Sequence, residues 1–245
     1  MKKILLFAAI AAALCITGCK KVNPDDQGGG KEQGGETEYE APITIDGTFD
    51  DWAKIDSKVT TLTCPAGHPK PDIKLAKVYA DKYYVFVYVE MDYAAYDGNP
   101  SDVHFDFILN GDKDTATGGY SGPFDQGETP CVDLLVQGDI IAGGELAEAF
   151  DPFVGTYGGD VNDGGAWAWN EVENNGFVVG KGTKKVWEFQ FTRELYPAGK
   201  LANGFGLGIF TSINGWDATG ALPATTPTDE NAAGAAPLLE VNIVK

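Results

Sequence analysis

The run Tyr83 to Asp92 is apolar on both faces, with Val85, Val87 and Val89 alternating against Tyr84, Phe86 and Tyr88. An extended segment of that kind has no wet side, so it belongs in the middle of a sheet with both faces covered. Asp81-Lys82 before it reads as a tight hairpin turn leading back to Lys74 to Ala80. A period of two recurs in further runs, separated by Gly, Asp, Asn and Pro. They are Ile43 to Ile45, Val103 to Leu109, Cys131 to Ile141, Ala166 to Val172, Phe177 to Gly182, Lys185 to Thr192, Phe205 to Ile213 and Leu238 to Val244. Helical periodicity is confined to a turn at Gly144 to Phe150. About ten strands with turn-rich connections and little helix predict an all-β fold, an antiparallel β-sandwich.

Individual faces follow from the alternation. Trp187, Phe189 and Phe191 share one face and read as core, whereas Glu188, Gln190 and Thr192 share the other. Val103, Phe105, Phe107 and Leu109 form a dry face, with His104, Asp106, Ile108 and Asn110 on a mostly wet one. Gly206 and Gly208, set among Phe205, Leu207 and Ile209, predict a bulge or a place where something packs closely on the sheet.

The N-terminal residues read as an export signal. Lys2 and Lys3 give a positive start, Ile4 to Ile16 an apolar core too short to span a membrane as a mature helix, and Ile16-Thr17-Gly18-Cys19 resembles a bacterial lipobox. Cleavage before Cys19 would leave that residue lipidated and the protein anchored to the outer membrane, facing either the periplasm or the cell surface. Residues 19–40 are rich in Gly and acid, with almost nothing apolar, and read as a disordered tether. Residues 41–245 are then one β-sandwich domain, of a length sufficient for a sizeable core.

The formal net charge is −18, more negative still once Lys2 and Lys3 depart with the signal. Such a surface repels phosphate backbones, which excludes nucleic acid as a natural partner and favours neutral or cationic ligands. Of four cysteines, Cys15 leaves with the signal and Cys19 carries lipid. Cys64 and Cys131 can either pair, in an oxidising envelope compartment, or stay as buried thiols.

The strand Val103 to Leu109 runs into a Gly-flanked loop carrying Asn110, Asp112 and Asp114 at every second position. Their oxygens could converge on one hard cation, most plausibly Ca²⁺, with Asp125 or Glu128 completing the shell. Against this, Thr115 and Ser121 stand where the helix-flanked calcium loop needs Gly and Glu, and Lys113 lies between the acids. The alternative is a solvated turn in which these side chains bond nearby backbone N–H groups.

The segment Ile45-Asp46-Gly47-Thr48-Phe49-Asp50-Asp51-Trp52 suits a turn in which Gly47 allows the bend. Asp46 and Asp50 there can accept turn N–H groups or bind a cation, and Trp52 can staple the turn to the sandwich. It resembles the opening of the family 9 carbohydrate-binding modules and their DOMON-like relatives. KVYADKYYVFVYVEMD, VHFDFILNGDKD and KKVWEFQFTRELYP follow in order and are similar to later strands of that group. The resemblance implies a β-sandwich that binds glycans without cleaving them, often with structural calcium. It transfers no sugar-stacking tryptophan.

Sugar recognition needs flat aromatic faces together with amides and carboxylates. Two places supply both. One is the loop Asn214-Gly215-Trp216-Asp217, with Trp216 the leading candidate; the other is Trp167, Trp169 and Asn170, near Glu171 and the loop acids Asp160 and Asp163 with Asn162. Trp167 and Trp169 suit a sandwich interior equally well. Tyr120 and Tyr157 beside glycines are weaker candidates.

Catalytic signatures are lacking. His68 and His104 have no zinc-spaced partner, Gly119-Tyr120-Ser121-Gly122-Pro123 misses a nucleophile elbow at its last position, and Gly180-Lys181-Gly182-Thr183 is no phosphate loop. Three function classes remain. A non-catalytic glycan-binding lipoprotein fits the anchor, tether and loop aromatics. A protein-interaction or envelope assembly module with an outer-membrane protein partner fits all but the sugar expectation. A haem-binding relative would need axial ligands such as Met91 and His104.

Overall fold

The computed structural model describes residues 39–119, 122–124, 131–158, 169–196 and 200–244. They contain thirteen strands: β1 Thr60–Thr63, β2 Ile73–Ala80, β3 Tyr84–Met91, β4 Val103–Asn110, β5 Leu134–Ala142, β6 Glu145–Leu146, β7 Phe153–Tyr157, β8 Trp169–Glu171, β9 Val178–Gly182, β10 Val186–Thr192, β11 Phe205–Ile213, β12 Ala218–Leu222 and β13 Leu239–Val241. One short helix, α1 Asp51–Lys54, precedes them. Every pairing is antiparallel. A five-stranded sheet has the order β1-β2-β3-β10-β9, and an eight-stranded sheet the order β12-β11-β4-β5-β7-β8, with β13 also on β11 and β6 also on β5. The fold is therefore an all-β antiparallel sandwich.

The alternation in the sequence explains the core between the sheets. Val85, Val87 and Val89 of β3 and Trp187, Phe189 and Phe191 of β10 share it with Phe105, Phe107 and Leu109 of β4. Phe189 stacks on Phe105 at 5.1 Å and meets Phe107 edge-on at 4.8 Å, so the aromatic rings of the two sheets interlock. The hairpin before β3 closes as expected: Asp81 accepts the N–H groups of Tyr83 and Tyr84 at 2.8 and 2.9 Å.

The outward faces are also dry, each for its own reason. Over the five-stranded sheet, Ile43, Trp52 and Ile55 of the opening segment cover Tyr79 and Phe86. Over the eight-stranded sheet, Phe124 and Val132 join Ile108, Leu135, Phe210 and Ala221. The expected wet face of β4 is thus corrected, because Asp106, Ile108 and Asn110 are all buried. Gly208 shows why: a Cβ there would lie 2.6 Å from Phe124 and 2.8 Å from Leu238, the close packing its sequence setting predicts. Gly206 and Gly208 pair in regular register with β4, so no bulge forms at them; the register shift of β11 falls at Thr211 and Ser212, against β12.

Other expectations are corrected by local physics. Ile43 to Ile45 forms no strand and lies over a sheet as extended cover, with Ile43 buried. Gly144 to Phe150 forms no helical turn; Gly143 and Gly144, both at positive φ, reverse the chain so that β6 pairs back on β5. The strands β1, β7 and β12 escape the alternation rule. β1 is a Thr-rich edge, whereas Gly155 in β7 and Gly220 in β12 sit where Phe153 and Ile73 leave no room for a side chain.

Candidate functional site

The best-formed surface site lies where β4, β5 and β11 lie side by side. Their register sets His104 against Asp139 and Ser212, and Asp106 against Gln137 and Phe210, all on the outward face. The loop after β11 closes over this row. Asn214 adopts a left-handed conformation (φ 53°), and its carboxamide oxygen accepts the Ser101 N–H, the Ser101 hydroxyl and the Asp102 N–H at 2.9 to 3.0 Å. Asp102 in turn accepts the Gly143 N–H, which above all holds its carboxyl below the usual carboxylate range.

Trp216 is the consequence of that lacing. The Ser212 hydroxyl donates to the Trp216 carbonyl (3.2 Å), and the indole lies flat on His104, with ring centroids 4.2 Å apart and planes 7° from parallel. His104 Nδ1 donates to Asp139, so the ring beneath the indole is itself fixed. Trp216 remains 73% exposed, the largest exposure of any large hydrophobic residue among the described residues. Asp217 beside it is exposed too.

Behind the platform, about 7 Å along β4, is an acid of unusual character. Asp106 is 0% exposed. Gln137 Nε2 donates to one of its oxygens, and Oδ2 has no hydrogen-bond partner among the described residues. Burial, reinforced by the charge of Asp139 and only partly offset by Gln137, raises its pKa to about 7. At neutral pH this carboxyl both holds and releases its proton.

The other expected site residues fall elsewhere. Asn214 is the brace just described, its carboxamide oxygen committed to the loop. Trp169 is half-buried and meets Tyr157 edge-on at 5.5 Å, so it packs on the outer apolar cluster rather than offering a free face. Asn170 is exposed beside it on β8, three strands from β4, about 14 Å by ordinary strand spacing. The two aromatic places are therefore separate. Trp167, Asp160, Asn162, Asp163, Tyr120, Asp125, Glu128 and Cys19 lie outside the described residues.

The acidic loop adopts the turn alternative. Asn110 accepts the Lys113 N–H, Asp112 the Asp114 N–H and Asp114 the Ala116 N–H, at 2.7, 2.7 and 2.8 Å. Asn110 is buried while Asp112 and Asp114 are exposed. Among the described residues no three His, Cys, Asp or Glu side chains are grouped to hold a metal. Asp125 and Glu128, the residues expected to complete a Ca²⁺ shell, are not among the described residues.

Cys64 and Cys131 are thiols and form no disulfide with each other. Cys64 follows β1 in one sheet and hydrogen-bonds toward the Pro65 and Lys70 carbonyls, whereas Cys131 is buried ahead of β5 in the other. The haem pairing also fails: Met91 is buried in the core between the sheets, and His104 lies on an outward face under Trp216.

A residue that the alternation placed on a polar face turns out to organise the opening segment. Glu188 is fully buried and accepts the Asp46 and Gly47 N–H groups (3.0 and 2.8 Å) and the Trp52 indole N–H (3.2 Å). Trp52 is 2% exposed, the staple its sequence setting predicts. Burial raises the Glu188 pKa, with the Gly47, Trp52 and Asp46 donors opposing.

Sequence reasoning singled out Trp216 but did not foresee its stacking on His104, the His104–Asp139 bond or the Asp106–Gln137 pair behind it. A signal was present: polar residues at every second position of two otherwise apolar strands, His104 and Asp106 in VHFDFIL and Gln137 and Asp139 in LLVQGDI. No protein-family model matches the chain, and no curated protein matches it in sequence. What the protein recognises is therefore read from its own side chains.

Proposed function

We propose that this protein is a non-catalytic glycan-binding protein of the bacterial envelope, lipid-anchored to the outer membrane through Cys19, with its site at Trp216. One observation carries the reading: an indole 73% exposed yet fixed flat on the His104 ring. An exposed tryptophan costs solvation unless it is used, and a rigid one loses little entropy on stacking against the C–H face of a pyranose. Asp217 and the half-exposed Asp139 lie beside it to accept sugar hydroxyls. Binding without bond cleavage fits the same geometry, since Asp106, the buried acid of this row, is closed off from any substrate.

The test is a glycan array probed with the wild-type protein and Trp216→Ala. Signals present in the first and absent in the second are expected, unchanged by chelator, because the acidic loop lies about 20 Å away at the other end of β4. A blank array, with pulldown recovering an outer-membrane protein, would replace this reading with the assembly module.

A further inference from the structure

The charge around the indole points to a class of glycan, an inference that rests on the binding reading above. One face of Trp216 is taken by His104, and the rest of the ring is open. Asp139 stands at its base with its side chain 49% exposed, Asp217 follows it in the chain, and Asp102 is held on the adjoining loop by Asn214. None of these three is ion-paired to a lysine or arginine among the described residues. Lys184, which reaches this end of the sandwich, donates its ammonium to the Gly144 carbonyl at 2.8 Å.

A second observation, independent of the surface acids, comes from beneath. Asp106 sits on the same outward row as His104, fully buried, with Oδ2 lacking a partner, and close enough to Asp139 for that charge to act on it. The site thus combines the open face of an indole with two exposed carboxylates, Asp217 and the His104-bonded Asp139, and the part-exposed Asp102, above a fourth acid, Asp106, that is itself closed off from a ligand. A neutral sugar would gain stacking and hydrogen bonds from its hydroxyls to Asp217 and Asp139 there. A sugar with a protonated amine would add a cation–π contact and charge-assisted hydrogen bonds, and an anionic one would be repelled.

We propose that the Trp216 site takes a cationic glycan, an oligosaccharide of 2-amino sugars whose amines are free and protonated, in preference to neutral or N-acetylated sugars. The full-length protein in detergent micelles is titrated calorimetrically at pH 6 with the β-1,4 tetramers of glucosamine, N-acetylglucosamine and glucose. The glucosamine tetramer should bind about tenfold or more tighter than either of the others, the scale of one good cation–π or charge-assisted contact. Asp217→Asn, at an exposed position where folding is not at stake, and Asp139→Asn should each shrink that preference, and Trp216→Ala should abolish binding of all three.

Equal binding of the three tetramers would overturn the cationic preference while leaving the glycan reading intact. No binding of any tetramer, together with a blank array, would sink both. Tetralysine bound as tightly as the glucosamine tetramer would also overturn the proposal, since the surface would then attract charge without recognising sugar.

Discussion

Each sheet of this sandwich buries one carboxylate on its outward face, and the two are provided for very differently. Glu188, under the opening segment, receives two backbone N–H groups and an indole N–H. Asp106, behind the Trp216 platform, receives a single amide from Gln137 and keeps one oxygen unpartnered among the described residues. A buried acid whose donors are all supplied holds a structure together; one left short of donors carries a cost that structure alone does not explain. The comparison separates a buried acid that organises a covering segment from one that is only half provided for.

The sharpest way to break it is Glu188→Ala. One buried and two part-buried donors would lose their acceptor at once, and a loss of about 4 kcal/mol in denaturant unfolding is expected. A loss under about 1 kcal/mol would show that the opening segment is not held by this residue.

Asp106→Asn should act in the opposite direction. In the unfolded chain the acid titrates near its ordinary value of about 3.9, and in the folded protein near about 7. Between those values the folded state binds the extra proton, so wild-type stability falls as pH rises from about 4 to about 7 and stays low above it. The amide copies the protonated acid, so the variant should gain about 4 kcal/mol at pH 8 and under about 1 kcal/mol at pH 4. Unfolding curves at the two pH values check this, and an equal change at both would place the Asp106 proton elsewhere.

A smaller effect tests the cover of the same face. Gly208→Val would drive a side chain into Phe124 and Leu238 and should cost about 2 kcal/mol. The smallest change in stability belongs to Trp216→Ala, within about 0.5 kcal/mol of wild type, because the indole is exposed. Its effect should appear in ligand binding alone.

How far the sequence reveals this arrangement depends on the distance between partners. The sandwich, the Asp81 hairpin, the core face of Trp187 and the close approach at Gly208 all follow from alternation or from a single residue type, because strand faces are local properties. The burial of Asp106 does not, since its neighbours on the adjoining strands, Gln137 and Phe210, lie far along the chain. Nor does the stack of Trp216 on His104, which needs β4 and β11 to be neighbours. Glu188 reads as a solvated polar residue until the opening segment is laid over it. The acidic loop teaches the converse: oxygens spaced for a cation in sequence are equally well spaced for successive turn N–H groups, and only the backbone decides between them.

The central claim is that recognition happens at the open indole and not at the buried ones. The chain has five tryptophans, each with one indole N–H resonance resolvable by nitrogen-15 NMR. On titration with the glucosamine tetramer at pH 6, the Trp216 resonance should move progressively while those of Trp52 and Trp187 stay fixed. Shifts confined to Trp167 and Trp169, with Trp216 unmoved, would contradict the account.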